Sequence, residues 1–428
     1  MKKVLMIVRS FLQFFAVQTT LLNTLGNDLS PEMKTFYDMT LLDYAQAALV
    51  HDQFGQKRPI PKNGGKKIEF RAFTPLKKAL TALTEGVTPD GNSLDVTTIE
   101  AEVAQYGDYI VQSDVLELTA LDNTILEATK LLGRQAGLTL DTITRNVLVS
   151  GTNVMYAPKI DASTGAETEV TSRKALDATA YLTVDLIEQV VAELRAQNAP
   201  TINGDYIGIV HPYVVYDLMR DPDWRDPHKY VDTTNLYEGE IGKIGGVRFV
   251  QTTEAKIYCG DNLAGSVREL TLGANISGAV TEITYSASGV TLAENELKGR
   301  TIMINGVTAE VVSNTASSGT HKITVASTNF GSGTSGTTKI YPGEGGANGL
   351  AVFASLFFGD GAYGVTEVSG GGLQTIVKQK GSAGTADPLD QRSSVGWKAL
   401  KTAEILLPSY LIRVESCSKR FSANARAN

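Results

Sequence analysis

The sequence predicts an α+β fold with a small all-β module inserted late in the chain. Three stretches carry that prediction. Strand-like alternation in KKIEFRAF and again in DVTTIEAEVAQYGDYIVQS brackets an unusually long turn. A single apolar stripe follows, from about Asp114 to Ser150, and between 261 and 348 the composition shifts to Ser, Thr, Gly and β-branched residues.

Residues 1–65 open with MKKVLMIVRSFLQFFAVQTT, which has the basic start and apolar run of a secretory leader. Arg9, Gln13 and Gln18 interrupt that run and no small-x-small cleavage site follows. We therefore expect an N-terminal arm or amphipathic helix docking on a neighbour, with Met1 retained. A membrane span needs about 20 apolar residues in a row, and the sequence has no such run.

In the first alternating segment Ile68, Phe70 and Ala72 share one face, with Lys67, Glu69 and Arg71 on the other. The second segment places Ile99, Ala101 and Val103 opposite Glu100 and Glu102, so antiparallel pairing is expected to set Lys67 and Arg71 against glutamates. Ordinary hairpins close in about two to five residues. Here the connection runs from 74 to 95 and includes LTEGVTPDG at 83–91. An isolated ribbon is marginal in water. The expectation is an arm projecting from the body and buried only by another subunit.

The stripe of the long helix comprises Leu118, Leu121, Ile125, Ala128, Leu132, Ala136, Leu140, Ile143 and Val147, at steps of three and four. Asp114 and Glu117 have capping-box spacing and Gly151 is a stop. About 30 residues at 1.5 Å each give a helix of roughly 45 Å. A second helix is expected over TVDLIEQVVAELRAQN, with Thr183 as N-cap and Ile187, Val190, Val191 and Leu194 inward. Then come a buried strand at DYIGIV, a helix at HPYVVYDLMRD with Pro212 in its first turn, and a strand at 245–255.

Within the module TEITYS, RTIMI, VTAEVV and KITVAS read as short strands, and Asn305-Gly306 marks a two-residue hairpin. FGSGTSGTTK and PGEGGANG read as flexible joints. LAVFASLFF, LQTIVKQK and AEILLPSYLIRVES, the last bent around Pro408, supply the closing strands.

The 428 residues, 42% hydrophobic and 20% charged, suffice for two or three domains with cores. A net charge of −7 and a pI near 5.3 argue against a sequence-reading nucleic-acid binder or a binder of anionic membranes. Cys259 and Cys417 are the only cysteines, which suits a reducing compartment and inert core thiols. GDGAYG at 359–364 has the letters of a dinucleotide loop but lacks the following helix that would face a pyrophosphate, so it reads as a tight turn between strands. SCSK at 416–419 ends a strand instead of opening a helix, and the carboxylates of RDPDWRDP and DPLDQR sit in Asp-Pro turns. His51, His211, His228 and His321 show no metal-ligand spacing, and His211 before Pro212 reads as a turn residue. No catalytic constellation and no cofactor are expected.

Taken in order, LTEGVTPDG, TTIEAEVAQYGDYIVQSD, GKIGGVRFVQT, LFFGDGAYGVTEV and DPLDQRSSVGWK resemble a podophage-related branch of the major capsid proteins of tailed bacteriophages with the Hong Kong 97-like fold. The resemblance covers most of the chain. It implies an N-terminal arm at 1–65, an extended loop at 66–112 lying across an adjacent subunit, and a peripheral domain with a spine helix at 113–199. An axial domain would occupy 200–260 and 349–386, interrupted by the β-module at 261–348, with 387–428 returning to the peripheral domain. It further implies self-assembly of hexamers and pentamers into an icosahedral head in the host bacterial cytoplasm. Portal, scaffold and decoration proteins would be partners, and packaged double-stranded DNA would be held without sequence reading.

On this resemblance Lys77, Lys78, Glu85 and Asp90 at the ribbon tip become candidates for intersubunit contact. So do Asp387, Arg392, Trp397 and Lys398 near the return, where a strand entry with a buried tryptophan is the simpler reading. Three alternatives stay open: a bacterial encapsulin-type nanocompartment shell, a secreted glycan-binding surface protein, and a hydrolase built from scattered residues.

Overall fold

The computed structural model describes Leu41 and the chain from residue 49 onward, except 60–65, 74–75, 77–79, 81, 83–90, 92, 95, 115–123, 225–241, 266, 287–288, 317–320, 367–372, 379, 381–388 and 390. The signal-like start, the tip of the long turn and the capping-box partner Glu117 thus lie outside the described residues.

Strands Lys67–Phe73 and Val96–Glu102 pair antiparallel, with Ile68 opposite Ala101 and Phe70 opposite Ile99. Two expectations need correction. Lys67 does stand opposite a glutamate, Glu102, and its Nζ pairs with Glu100 Oε2 at 2.5 Å, but Arg71 stands opposite Thr98. Nor does the ribbon's burial wait for a neighbour: Ile68, Phe70 and Ala101 form an apolar cluster with Leu406. A Cβ on Gly364 would come within 2.4 Å of the Phe70 ring, so glycine there lets the ribbon base seat on the body.

Helix α1 (Thr124–Leu148) buries Ala128, Leu132, Ala136, Leu140 and Leu148, while Ile125, Ile143 and Val147 are half-buried. It lies on a three-stranded sheet ordered Leu373–Lys378, Arg392–Lys401, Ala104–Ser113. Leu132, Ala136 and Leu140 there meet Val395, Trp397 and Ala399. The Arg413 guanidinium donates to the carbonyls of Val149 and Gly151, supplying partners that the end of a helix otherwise lacks.

A seven-stranded sheet forms the centre, ordered Val154–Tyr156, Leu411–Ser416, Val352–Phe358, Tyr206–Val210, Val247–Gln251, Lys243–Ile244, with Ile257–Tyr258 also pairing to Val352–Phe358. Every residue of its three middle strands is buried, the mark of a sheet covered on both faces. One face carries α2 (Val184–Ala196), whose Leu186, Ile187, Val190, Val191 and Leu194 are buried and whose N-cap Thr183 accepts from the Leu186 N–H at 3.3 Å. The same face carries α3 (Pro212–Leu218), packed through Val214, Val215 and Leu218. His211 is the N-cap of α3, not a plain turn residue: its Nδ1 accepts from the Tyr213 N–H at 3.2 Å. Burial pushes its pKa from 6.5 down to about 4, which keeps that nitrogen an acceptor at neutral pH. The opposite face packs Ile207, Ile209, Leu356 and Phe358 against Leu148, Val149 and Tyr363. GDGAYG is a tight turn between Val352–Phe358 and Tyr363–Thr366, with Gly361 at φ 70°.

The β-module is a six-stranded antiparallel barrel ordered Leu270–Thr271, Lys339–Pro342, Thr301–Ile304, Val307–Asn314, Lys322–Asn329, Ala279–Thr284, closed by pairing of Leu272 with Tyr285. Its core, including Ile283, Ile302, Ile304, Ile323, Val325 and Phe330, is separate from those of the body. Asn305 and Gly306 take φ of 50° and 77°, the left-handed pair that a two-residue hairpin turn requires.

The two expected flexible joints are instead fitted parts. Phe330 is a core residue, Gly333 pairs with Ile276, and Asn305 Nδ2 donates to the carbonyls of Phe330 and Ser332 at 3.1 Å. In PGEGGANG a Cβ on Gly345 would lie 2.3 Å from the Leu350 oxygen, and one on Gly346 2.5 Å from that of Leu176. A Cβ on Gly260 would sit 2.3 Å from Pro342, so the chain enters and leaves the barrel side by side.

Candidate assembly interface

The strand Arg392–Lys401 turns Val395, Trp397, Ala399 and Lys401 toward α1, leaving Arg392, Ser394, Lys398 and Leu400 on the opposite face by simple alternation. Its neighbours add Tyr109, Val111 and Ile376 to that outer face, and these are 69%, 50% and 39% exposed. Two glycines lie at its floor. A Cβ on Gly107 would stand 2.6 Å from the Trp397 oxygen, and one on Gly396 2.7 Å from Tyr109 Cβ. The result is an open groove of about 320 Å³, bordered by Tyr109, Ile376, Lys378 and Ser394. Beneath it Trp397 Nε1 donates to Gln135 Oε1 at 3.4 Å, and Gln135 Nε2 donates to Asp108 Oδ2 at 2.6 Å. That bond, with a second from the Tyr109 N–H, holds the Asp108 carboxyl below its usual range.

Among the candidate contact residues, Trp397 is buried within its own chain, Lys398 is half-buried and Arg392 is exposed. The three share one strand. Lys77, Lys78, Glu85, Asp90 and Asp387 lie outside the described residues.

The sequence reading missed a buried polar cluster that joins the segment before the ribbon to α1 and to Arg392–Lys401. His51 donates its backbone N–H to Asp141 Oδ1 at 2.7 Å, and its ring Nδ1 lies 2.7 Å from Asp141 Oδ2. Asp52 pairs with Lys401 and accepts from the Thr144 hydroxyl at 2.6 Å. Tyr363 donates its hydroxyl to the His51 carbonyl. Burial, reinforced by the charges of Asp52 and Asp141, raises the Tyr363 pKa well above its ordinary value and keeps it a donor. Desolvation lowers the Lys401 pKa although Asp52 works the other way. The one sequence signal was on α1, where Asp141, Thr144 and Arg145 occupy buried helix positions.

A second knot sits across the central sheet. Glu415, fully buried, accepts from Arg173 at 2.7 and 2.5 Å and from Arg413 Nε at 2.9 Å. Arg173 stacks 3.4 Å above the Tyr258 ring. Burial opposes its charge, but Glu415 outweighs that and holds the Arg173 pKa above its usual value.

The arrangement ties distant segments together. Among the described residues no three His, Cys, Asp or Glu side chains cluster as metal ligands, and no helix is long and apolar enough to cross a membrane. Cys417 is buried, which pushes its thiol up to about 12.

A family model described as phage capsid protein matches residues 32–380. The chain belongs to that family and is a structural component of the virion shell. It is similar in fold to the capsid subunit of cyanophage Pam1, with TM-score 0.51 at 10% identity over 94% of this chain and 98% of that one. It is likewise similar to the capsid of Ralstonia phage GP4, with TM-score 0.50 at 11% identity over 88% and 87%. No curated protein matches by sequence.

Proposed function

We propose that the chain is the major capsid protein of a tailed phage, closing as hexamers and pentamers into an icosahedral head around double-stranded DNA. The observation that carries this is the family match across 32–380 together with a mixed α/β chain that follows the capsid subunits over most of its length. In this reading the architecture is Hong Kong 97-like. Residues 66–112 are the extended loop, 113–199 and 387–428 the peripheral domain with α1 as spine, and 200–260 with 349–386 the axial domain that carries the barrel.

The outer face bearing Tyr109, Val111 and Ile376 is then the bed for an adjacent subunit's ribbon, and Lys77, Lys78, Glu85 and Asp90 make polar contacts at its tip. Exposed apolar side chains over a glycine-floored groove support that role, since such surface is costly unless covered. Arg392 and Lys398 belong to the same bed and Trp397 packs beneath it, with Asp387 a further candidate for contact. A net charge of −7 suits a wall facing packed DNA, because dense phosphates would bind a basic wall and be slowed by it. Assembly would proceed in the host cytoplasm with portal, scaffold and decoration partners, and the barrel would point outward.

The test is electron microscopy of the full chain after cytoplasmic expression, alone and with a scaffold. Closed particles of icosahedral symmetry are expected; only monomers under both conditions would overturn the reading. Particles filled with a protein cargo would instead favour a nanocompartment.

A further inference from the structure

Asparagine followed by glycine has a chemistry of its own, because the glycine nitrogen can reach the side-chain carbonyl carbon and no Cβ stands in its way. The chain has four such pairs, Asn63-Gly64, Asn203-Gly204, Asn305-Gly306 and Asn348-Gly349. The first lies outside the described residues. In the other three both residues take left-handed φ, so what separates them is how firmly each turn is held.

Asn305-Gly306 closes a ladder in which Thr301–Ile304 pairs residue by residue with the start of Val307–Asn314. Its side chain is pinned as well, since Nδ2 donates to the carbonyls of Phe330 and Ser332, both at 3.1 Å. Swinging that amide toward the Gly306 nitrogen breaks both bonds. At Asn348-Gly349 the backbone is clamped. The Gly349 N–H donates to the Gly346 oxygen at 3.0 Å, Ala347 N–H donates to the Leu176 oxygen at 2.7 Å, and a Cβ on Gly349 would stand 3.1 Å from Tyr341 Cβ.

Asn203-Gly204 has neither restraint. One pair closes the turn, Ile202 with Asp205, through bonds of 2.8 and 3.1 Å, and the strand that follows pairs with other segments. The Asn203 side chain is exposed, and neither it nor the Gly204 N–H has a hydrogen-bond partner among the described residues. Nothing lies within 4 Å of the place a Gly204 Cβ would take. Freeing this backbone means breaking the Ile202–Asp205 pair at the surface, a local opening that costs far less than unfolding.

We propose that Asn203 is a site of spontaneous succinimide chemistry, at which the folded chain slowly turns a neutral side chain into a carboxylate. The Gly204 nitrogen attacks Asn203 Cγ and forms the new C–N bond. The bond from Cγ to Nδ2 breaks, and Nδ2 leaves as ammonia with the proton given up by the Gly204 N–H. Solvent water then opens the succinimide ring at either carbonyl, giving aspartate or isoaspartate. Because ring closure is intramolecular, the freedom of the turn sets its rate. Either product places a charge beside Asp205, which pairs with Lys243 at 2.5 Å just ahead of the buried strand Tyr206–Val210. Isoaspartate also adds a main-chain carbon to a turn built for two residues. This chemistry does not depend on the chain forming a shell.

The experiment is prolonged incubation of the wild-type full chain in mildly alkaline buffer, with peptide mapping by mass spectrometry at intervals. The peptide containing Asn203 is expected to exchange its amide for a carboxyl at least about fivefold faster than those containing Asn305 and Asn348, as a locally opening turn should. In denaturant the three rates should converge, since the fold no longer separates them. Isoaspartate should appear with aspartate at 203. Equal rates in the folded chain, or Asn305 or Asn348 in the lead, overturn the proposal. So does a lead for Asn203 that persists undiminished in denaturant, which would take the fold out of the cause. Aspartate without isoaspartate overturns the ring mechanism, because direct hydrolysis gives aspartate alone.

Discussion

Between α1 and its three-stranded sheet, residues as distant as Asp52 and Lys401, 349 positions apart, meet through buried charge. In the barrel, neighbouring strands meet through Ile, Leu, Val and Phe drawn from one run of the chain. The body gains specificity this way, because a buried ion accepts only its own partner and penalises every other register. The barrel gains autonomy: its contacts are drawn from one stretch of chain and its core is its own, so it can close before the body has brought its termini together.

That contrast predicts unequal responses to substitution. Glu415→Gln, which leaves the buried Arg413 and the half-buried Arg173 without their carboxylate, should cost about 3–5 kcal/mol, read as a fall in the main denaturation midpoint. Pairing Asp52→Leu with Lys401→Met should cost far less than either alone, because an apolar replacement removes both desolvation penalties together. In the barrel Ile323→Ala should cost about 2–5 kcal/mol. Hydrogen exchange should show that loss in barrel amides, with those of α1 unchanged; a uniform loss would mean that the two regions fold as one. Gly306→Ala, at φ 77°, should cost about 1–2 kcal/mol and be confined to the barrel.

The smallest effect is electrostatic. His211 titrates near 4 when folded against 6.5 when free, so the unfolded chain binds the extra proton between those values. Stability from this group is complete above pH 6.5 and falls as pH drops toward 4. His211→Asn, which keeps a capping side chain, should flatten that part of the melting profile while changing little at pH 8.

The elements governed by local rules were legible in the sequence. Thr183 and Pro212 set the starts of α2 and α3, Asn305-Gly306 set a hairpin, and the stripe of α1 faces its sheet. What escaped was long-range. Nothing near Asp52 announces Lys401, and His51 meets Asp141 across 90 residues. Glycine-rich stretches misled for a related reason. Composition suggests freedom, yet Gly345 and Gly346 are required because carbonyls crowd the space that a Cβ would fill. The outer-face residues Tyr109 and Ile376 were hidden by their ordinary strand alternation, which does not say which face stays bare.

The side-by-side entry and exit of the barrel at Gly260 and Pro342 has a consequence for descent. A segment whose two ends touch leaves the path of its host unchanged whether it is present, absent or exchanged. Such a socket lets the inserted segment change without renegotiating how the rest of the chain folds.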